Sequence, residues 1–214
     1  MTRVVWHSIT RGDLALRNER REPRHPSYSL RMTLLDNAPA PSTTAADRAD
    51  RLTAAGGAWG DRINSNRTAA HLTYTVKGVG VGSVRTSIEA GKHTFVVDEP
   101  VALAGDDLAA SPVEYALGAL ISCQVVVYRL YAHALGIQID EISITADADL
   151  DAARLFGIDE NVRPGFSDVR LAVTITGPET DARYQELSAA VDAHCPVLDL
   201  FVNPTPVSIT VVKG

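Results

Sequence analysis

Two cysteines, Cys123 and Cys195, are the residues in this chain best suited to do chemistry. They lie far apart and form no CxxC pair or metal-spaced cluster, so no cysteine-built metal site is indicated. In a cytosolic chain a lasting structural disulfide is uncommon, which leaves catalysis, redox sensing or simple burial. Cys123 falls in the middle of an apolar stretch of helical character. There the helix dipole does little for a thiolate, and the residue reads equally well as a small hydrophobe. Cys195 is followed by Pro196, which suits the first turn of a short helix running through Phe201. That position would set the sulfur near free backbone amides, and amides and dipole would both favour a thiolate. Were folding to join the pair, one thiolate could attack a peroxide O–O bond, become a sulfenic acid and be resolved by the other cysteine as a disulfide. No metal or organic cofactor is required, because an external dithiol can reduce the disulfide by exchange. A cation at the attacking sulfur and an apolar pocket are required, and Arg85, Arg129 and Arg163 are the candidate cations.

The elements that must position these residues are legible from periodicity. From His71, Leu72, Tyr74 and Val76 alternate as in a half-buried strand, until Gly78, Gly80 and Gly82 interrupt the run. No GK[ST] follows these glycines and no helix starts there, which argues against a phosphate loop. Val84 to Ile88 and Thr94 to Val97 read as two strands joined through Gly91 and Lys92. Ser111-Pro112-Val113-Glu114 is the strongest helix start: a serine cap, proline in the first turn, and a glutamate able to reach back to the cap amide. From there to Leu135 only Glu114 and Arg129 carry charge, and Gly136 supplies a stop. A helix apolar nearly all round must be covered by its own sheet and by something else, most economically a second copy of itself. Further strands are expected around Ile142 to Ala146 and Val169 to Ile175. A helix capped by Thr180 or Asp181 follows, and a terminal strand runs through Val207, Ile209 and Val211. The order βββ-α-β-β-α-β favours an α+β fold with antiparallel sheets.

The 214 residues, 45% hydrophobic and 21% charged, suffice for one sizeable core. A net charge of −6 argues against a nucleic-acid partner. Ser122, Gln124 and Arg129 interrupt the longest apolar stretch, so no membrane span is expected, and no secretory signal is evident at the N-terminus. A cytoplasmic location is expected. Residues 1–66 differ from the rest, with ten arginines against seven acidic residues. They read as an N-terminal extension, irregular around 20–26 and 38–42, with short helices around Thr44 to Leu52. The main domain would occupy 67–214.

The strings His93 to Pro100, Ala104-Gly105-Asp106-Asp107, Ser111-Pro112-Val113-Glu114 with Cys123 nine residues on, and His194-Cys195-Pro196-Val197 resemble the OsmC/Ohr family in their order and register. The resemblance spans about Leu72 to Val212. It implies an intertwined homodimer with long central helices flanked by sheets and active sites at the interface. It further implies that Cys123 is the peroxidatic cysteine, Cys195 the resolving one, and Glu114 the acid that positions a catalytic arginine. Typical hydroperoxide reductases of the family carry that arginine in the glycine-rich early loop. Here Gly78 to Gly82 lacks one and Arg85 follows shortly. Glu114 also reads as a plain capping acid, His194 as a surface or capping residue, and His133 as a residue that favours the C-terminal helix dipole and needs no catalytic role. The implied activity is thiol-dependent reduction of organic hydroperoxides by an external dithiol. The alternatives are a non-peroxidatic protein binding a small hydrophobic ligand at the dimer interface, and a redox sensor whose extension engages a partner.

Overall fold

In the computed structural model, which describes residues 43–214, the alternating run after His71 becomes a strand only at Val76. Strand β1 (Val76–Val81) then continues through Gly78 and Gly80, where an interruption was expected. The ladder accounts for this: β1 pairs antiparallel with β2 (Arg85–Ala90), Val76 opposite Ala90 and Val81 opposite Arg85, and backbone pairing needs no side chain. The turn falls at Gly82, whose φ of 64° glycine adopts without penalty. Strand β2 pairs in turn with β3 (His93–Val97), completing a three-stranded meander.

Beyond β3 the chain knots itself around buried Asp98. Its Oδ2 accepts the N–H groups of Asp106 and Leu108, both at 3.2 Å, and the Gly105 N–H donates to Pro100 O at 3.2 Å. Gly105 lies so close to Glu99 that a Cβ there would sit 1.7 Å from the Glu99 carbonyl oxygen. We therefore expect Gly105→Ala to cost about 2–3 kcal/mol, the scale of overpacking a tight site. The urea unfolding midpoint measures it, and an unchanged midpoint would show that the loop can open freely.

This knot delivers the chain to Ser111, the cap of α2 (Pro112–Leu135). The capping box forms as its residues suggest: Ser111 Oγ accepts the Glu114 N–H at 3.4 Å, and Glu114 Oε2 accepts the Ser111 N–H at 2.7 Å. Gly136 is the C-cap. By length and composition α2 is the one described helix that could cross a membrane, its best window having a mean hydropathy of 1.3. It is instead the helix around which this fold packs. Val127, Tyr128 and Ala132 meet Ile137, Ile139, Leu187, Val191 and Cys195 in the core. Side chains of this size contribute about 2 kcal/mol each on burial. Strands β4 (Glu141–Asp149) and β5 (Asp168–Thr176) pair antiparallel along their whole length and pack Ile142, Ile144, Val173 and Ile175 onto that core. Helix α3 (Asp181–Asp192), capped by Thr180, contributes Leu187 and Val191, and α4 (Pro196–Val202) starts at Cys195.

Two expectations need correction. The terminal strand through Val207 to Val211 is not formed: no described strand pairs with it, and Val207, Ile209 and Val211 are 81%, 85% and 90% exposed. The helix near Thr44 is not short, since α1 runs Ala45–Ser65, started by a Thr44/Asp47 capping box. The described residues from Thr43 onward form one compact unit, and the irregular stretches expected at 20–26 and 38–42 lie outside them.

Candidate active site

The start of α4 brings the two cysteines together. Pro196 removes one amide that would need a partner and fixes the first helical turn, while Cys195 serves as the N-cap. Its Sγ accepts the Leu198 N–H at 3.4 Å. The Cys123 thiol, half-buried on α2, interacts with the Cys195 side chain and receives the Val197 N–H. Both cysteines are free thiols. Burial pushes the Cys123 thiol up and the neighbouring Cys195 acts the same way; the Val197 amide opposes them without prevailing. Among the described residues no cation acts on this sulfur.

An open cleft of about 750 Å³ begins beside the pair. Leu120, one turn before Cys123 on α2, and Leu198, whose amide holds Cys195, both line it, with Phe166, Phe201 and Arg163 further along. Phe166 and Phe201 stack with ring centres 6.4 Å apart. The apolar part of the lining suits an alkyl or aryl group, with the Arg163 guanidinium and the Asp168 and Asp192 carboxylates also on its wall.

The other sequence candidates lie elsewhere in the chain. Arg85 faces the acidic knot, its Nη1 3.9 Å from Asp106 Oδ2. Burial opposes the charge of Asp98, but the Glu99, Leu108 and Asp106 amides together with Arg85 hold its carboxyl below the usual range. Arg129 donates Nη1 to Ile139 O at 2.9 Å, on the side of α2 next to α1. His194 bonds the Ala190 carbonyl through Nδ1 at 2.7 Å and lies against Tyr131, 4.5 Å between centres. Glu114 is engaged with Ser111, as a capping acid is.

A helix bearing one thiol, a following two-stranded sheet and a second thiol capping a short helix together form a recognisable arrangement. The family model described as OsmC-like protein matches residues 105–210. This stretch is an OsmC-like domain. Solved structures show the same fold at low identity. An OsmC-like protein from Mycoplasma pneumoniae matches at 16% identity and a TM-score of 0.54, covering 61% of this chain and 87% of that one. An organic hydroperoxide resistance protein from Elizabethkingia anophelis matches at 22% identity and a TM-score of 0.50, covering 62% and 90%. No curated protein matches the chain.

In this OsmC-like domain much apolar surface stays uncovered. Along α2, Tyr115, Ala119, Ser122, Val126 and Leu130 recur at three- and four-residue spacing, and all are exposed, Val126 at 56% and Leu130 at 39%. The cleft residues Phe166 and Phe201 and the Val197 amide at Cys123 escaped the sequence reading. They come from a loop and a short helix with no periodicity, and only Pro196 hinted at free amides. The Glu114 carboxyl is held below the usual range by the Ser111 hydroxyl and amide. Its stabilisation is thus complete at neutral pH and is lost as pH falls through the lowered value. We expect Ser111→Ala to destabilise by about 1 kcal/mol at pH 7. Glu114→Gln should remove part of the loss of stability on acidification, read from urea midpoints at pH 7 and pH 3.

Proposed function

We propose that this OsmC-like protein is a cysteine-based peroxidase that reduces organic hydroperoxides, working as a cytoplasmic homodimer. The observation that carries the reading is the contact of two free thiols at the amino end of α4, beside an apolar cleft. The Cys123 thiolate attacks the distal oxygen of ROOH. The O–O bond breaks, the alkoxide leaves with a proton as ROH, and Cys123 becomes a sulfenic acid. The Cys195 sulfur then attacks the Cys123 sulfur, an S–S bond forms and water leaves. An external dithiol reduces the disulfide by exchange, restoring both thiols. The alkyl group lies along Leu120, Leu198 and Phe201.

The thiolate needs a cation, and among the described residues none acts on Cys123 within one chain. Arg85, brought to Cys123 across the dimer interface and positioned by Glu114, is the proposed group; Arg163, already in the cleft, is the in-chain alternative. The exposed stripe on α2 and the unpaired apolar terminus support assembly from two copies. Residues 67–214 would be the catalytic domain and 1–66 an appended segment.

Steady-state turnover of cumene hydroperoxide with a dithiol reductant tests the proposal. Saturable peroxide-dependent oxidation of the dithiol supports it; none at any pH overturns it. One observation favours a second reading: burial without a cation keeps Cys123 a poor nucleophile. A redox-silent protein using the same cleft for a small hydrophobic ligand would bind such a ligand with both cysteines replaced.

A further inference from the structure

Helix α1 and the C-terminal half of α2 enclose a second cleft, of about 170 Å³, on the far side of α2 from the thiols' cleft lining. Arg48 of α1 and Arg129 of α2 both line it, with Leu52, His133 and Gln138, and no carboxylate does. Arg129 is fixed by its bond to Ile139 O, which uses one of five guanidinium donors. Neither arginine forms an ion pair among the described residues. Nearby acids are engaged or turned away. Asp47, next to Arg48, bonds back to Thr44, and Asp140 and Glu141 flank Arg129 in a separate cleft without pairing to it. The Thr53 hydroxyl and His133 Nε2, 2.9 Å apart, clip the two helices together at the edge.

Two guanidiniums facing one small cavity, with no carboxylate in its lining among the described residues, form an anion site. Burial, and then the charge of Arg48, depress the affinity of Arg129 for its proton, a conflict that a bound anion relieves. The planar fork of arginine matches phosphate oxygens two at a time, and two forks match the double charge of a phosphate monoester or hydrogen phosphate. We propose that the Arg48–Arg129 cleft binds the phosphate group of a small molecule or of the free ion. The site is independent of the peroxidase reading, because it uses neither cysteine nor their cleft.

Isothermal titration of the full-length protein at constant ionic strength in chloride tests it, with inorganic phosphate, glycerol 2-phosphate and malonate as probes. One saturable phosphate site per chain is expected. Arg48→Gln and Arg129→Gln should each weaken it roughly tenfold or more, and Arg129→Lys by less, since the charge remains while the fork is lost. Tighter binding of glycerol 2-phosphate assigns an organic phosphate, and tighter binding of inorganic phosphate assigns the ion. Arg48 lies on the half-buried side of a solvent-facing helix, so its variant keeps the test valid if an Arg129 variant misfolds, with circular dichroism as the check. No saturable phosphate heat in wild type, unchanged affinity in Arg48→Gln, or tighter binding of malonate would each overturn the proposal.

Discussion

Cys123→Ser is expected to abolish hydroperoxide turnover, by roughly a thousandfold or more, the scale on which loss of a nucleophile acts. The serine hydroxyl fits the half-buried site but does not ionise near neutral pH, so the O–O bond meets no competent attacker. Cys195→Ser should behave differently. Its Cys123 can still attack, so one equivalent of peroxide per chain is consumed and a sulfenic acid accumulates, trappable by dimedone, while multiple turnover slows. The asymmetry follows from the two sites. Cys123 is partly exposed, one helical turn from the cleft residue Leu120, whereas Cys195 is only 3% exposed. Equal behaviour of the two variants, with dimedone labelling Cys195 in Cys123→Ser, would reverse the assigned roles.

The second large effect is expected from Val126→Glu. Val126 is exposed within one chain, so the protomer folds with its core untouched. If two α2 helices pack along their apolar stripes, a symmetric interface buries two unpaired carboxylates. Desolvation then costs about 3 kcal/mol or more, at least a hundredfold in dimer affinity. Light scattering should find a species near the 22.9 kDa chain mass, with turnover lost although both thiols remain. Its Cys123 should react with iodoacetamide only at pH above the ordinary thiol range, as burial in the lone chain dictates. In the wild-type dimer an interfacial cation would move that reactivity to lower pH. A Val126→Glu protein that stays dimeric and active would place the interface on another face.

How much of this was legible in the sequence depends on how local each signal is. The limits of α2 were readable because Ser111, Pro112, Glu114 and Gly136 act on their own helix, and β4 and β5 because Ile142 to Ala146 and Val169 to Ile175 alternate. The glycines of β1 misled, since they weaken a strand's side-chain pattern without removing its backbone ladder. The terminal segment misled for the opposite reason: Val207 to Val211 alternate as a strand does, but no strand among the described residues pairs with them. At the site, Pro196 announced the amides at Cys195. The meeting of Cys195 with Cys123, the Phe166 and Phe201 walls and the facing of Arg48 and Arg129 are tertiary facts with no local signature.

Peptide mapping of the fully reduced protein after one equivalent of cumene hydroperoxide, with thiols blocked by an alkylating agent at acid pH, tests the central claim most directly. The account predicts that peroxide disappears, both thiols are lost together, and Cys123 and Cys195 of the same chain appear in one disulfide-linked peptide. Peroxide left unconsumed with both cysteines alkylated, or a disulfide that runs only as a covalent dimer on a non-reducing denaturing gel, would contradict it.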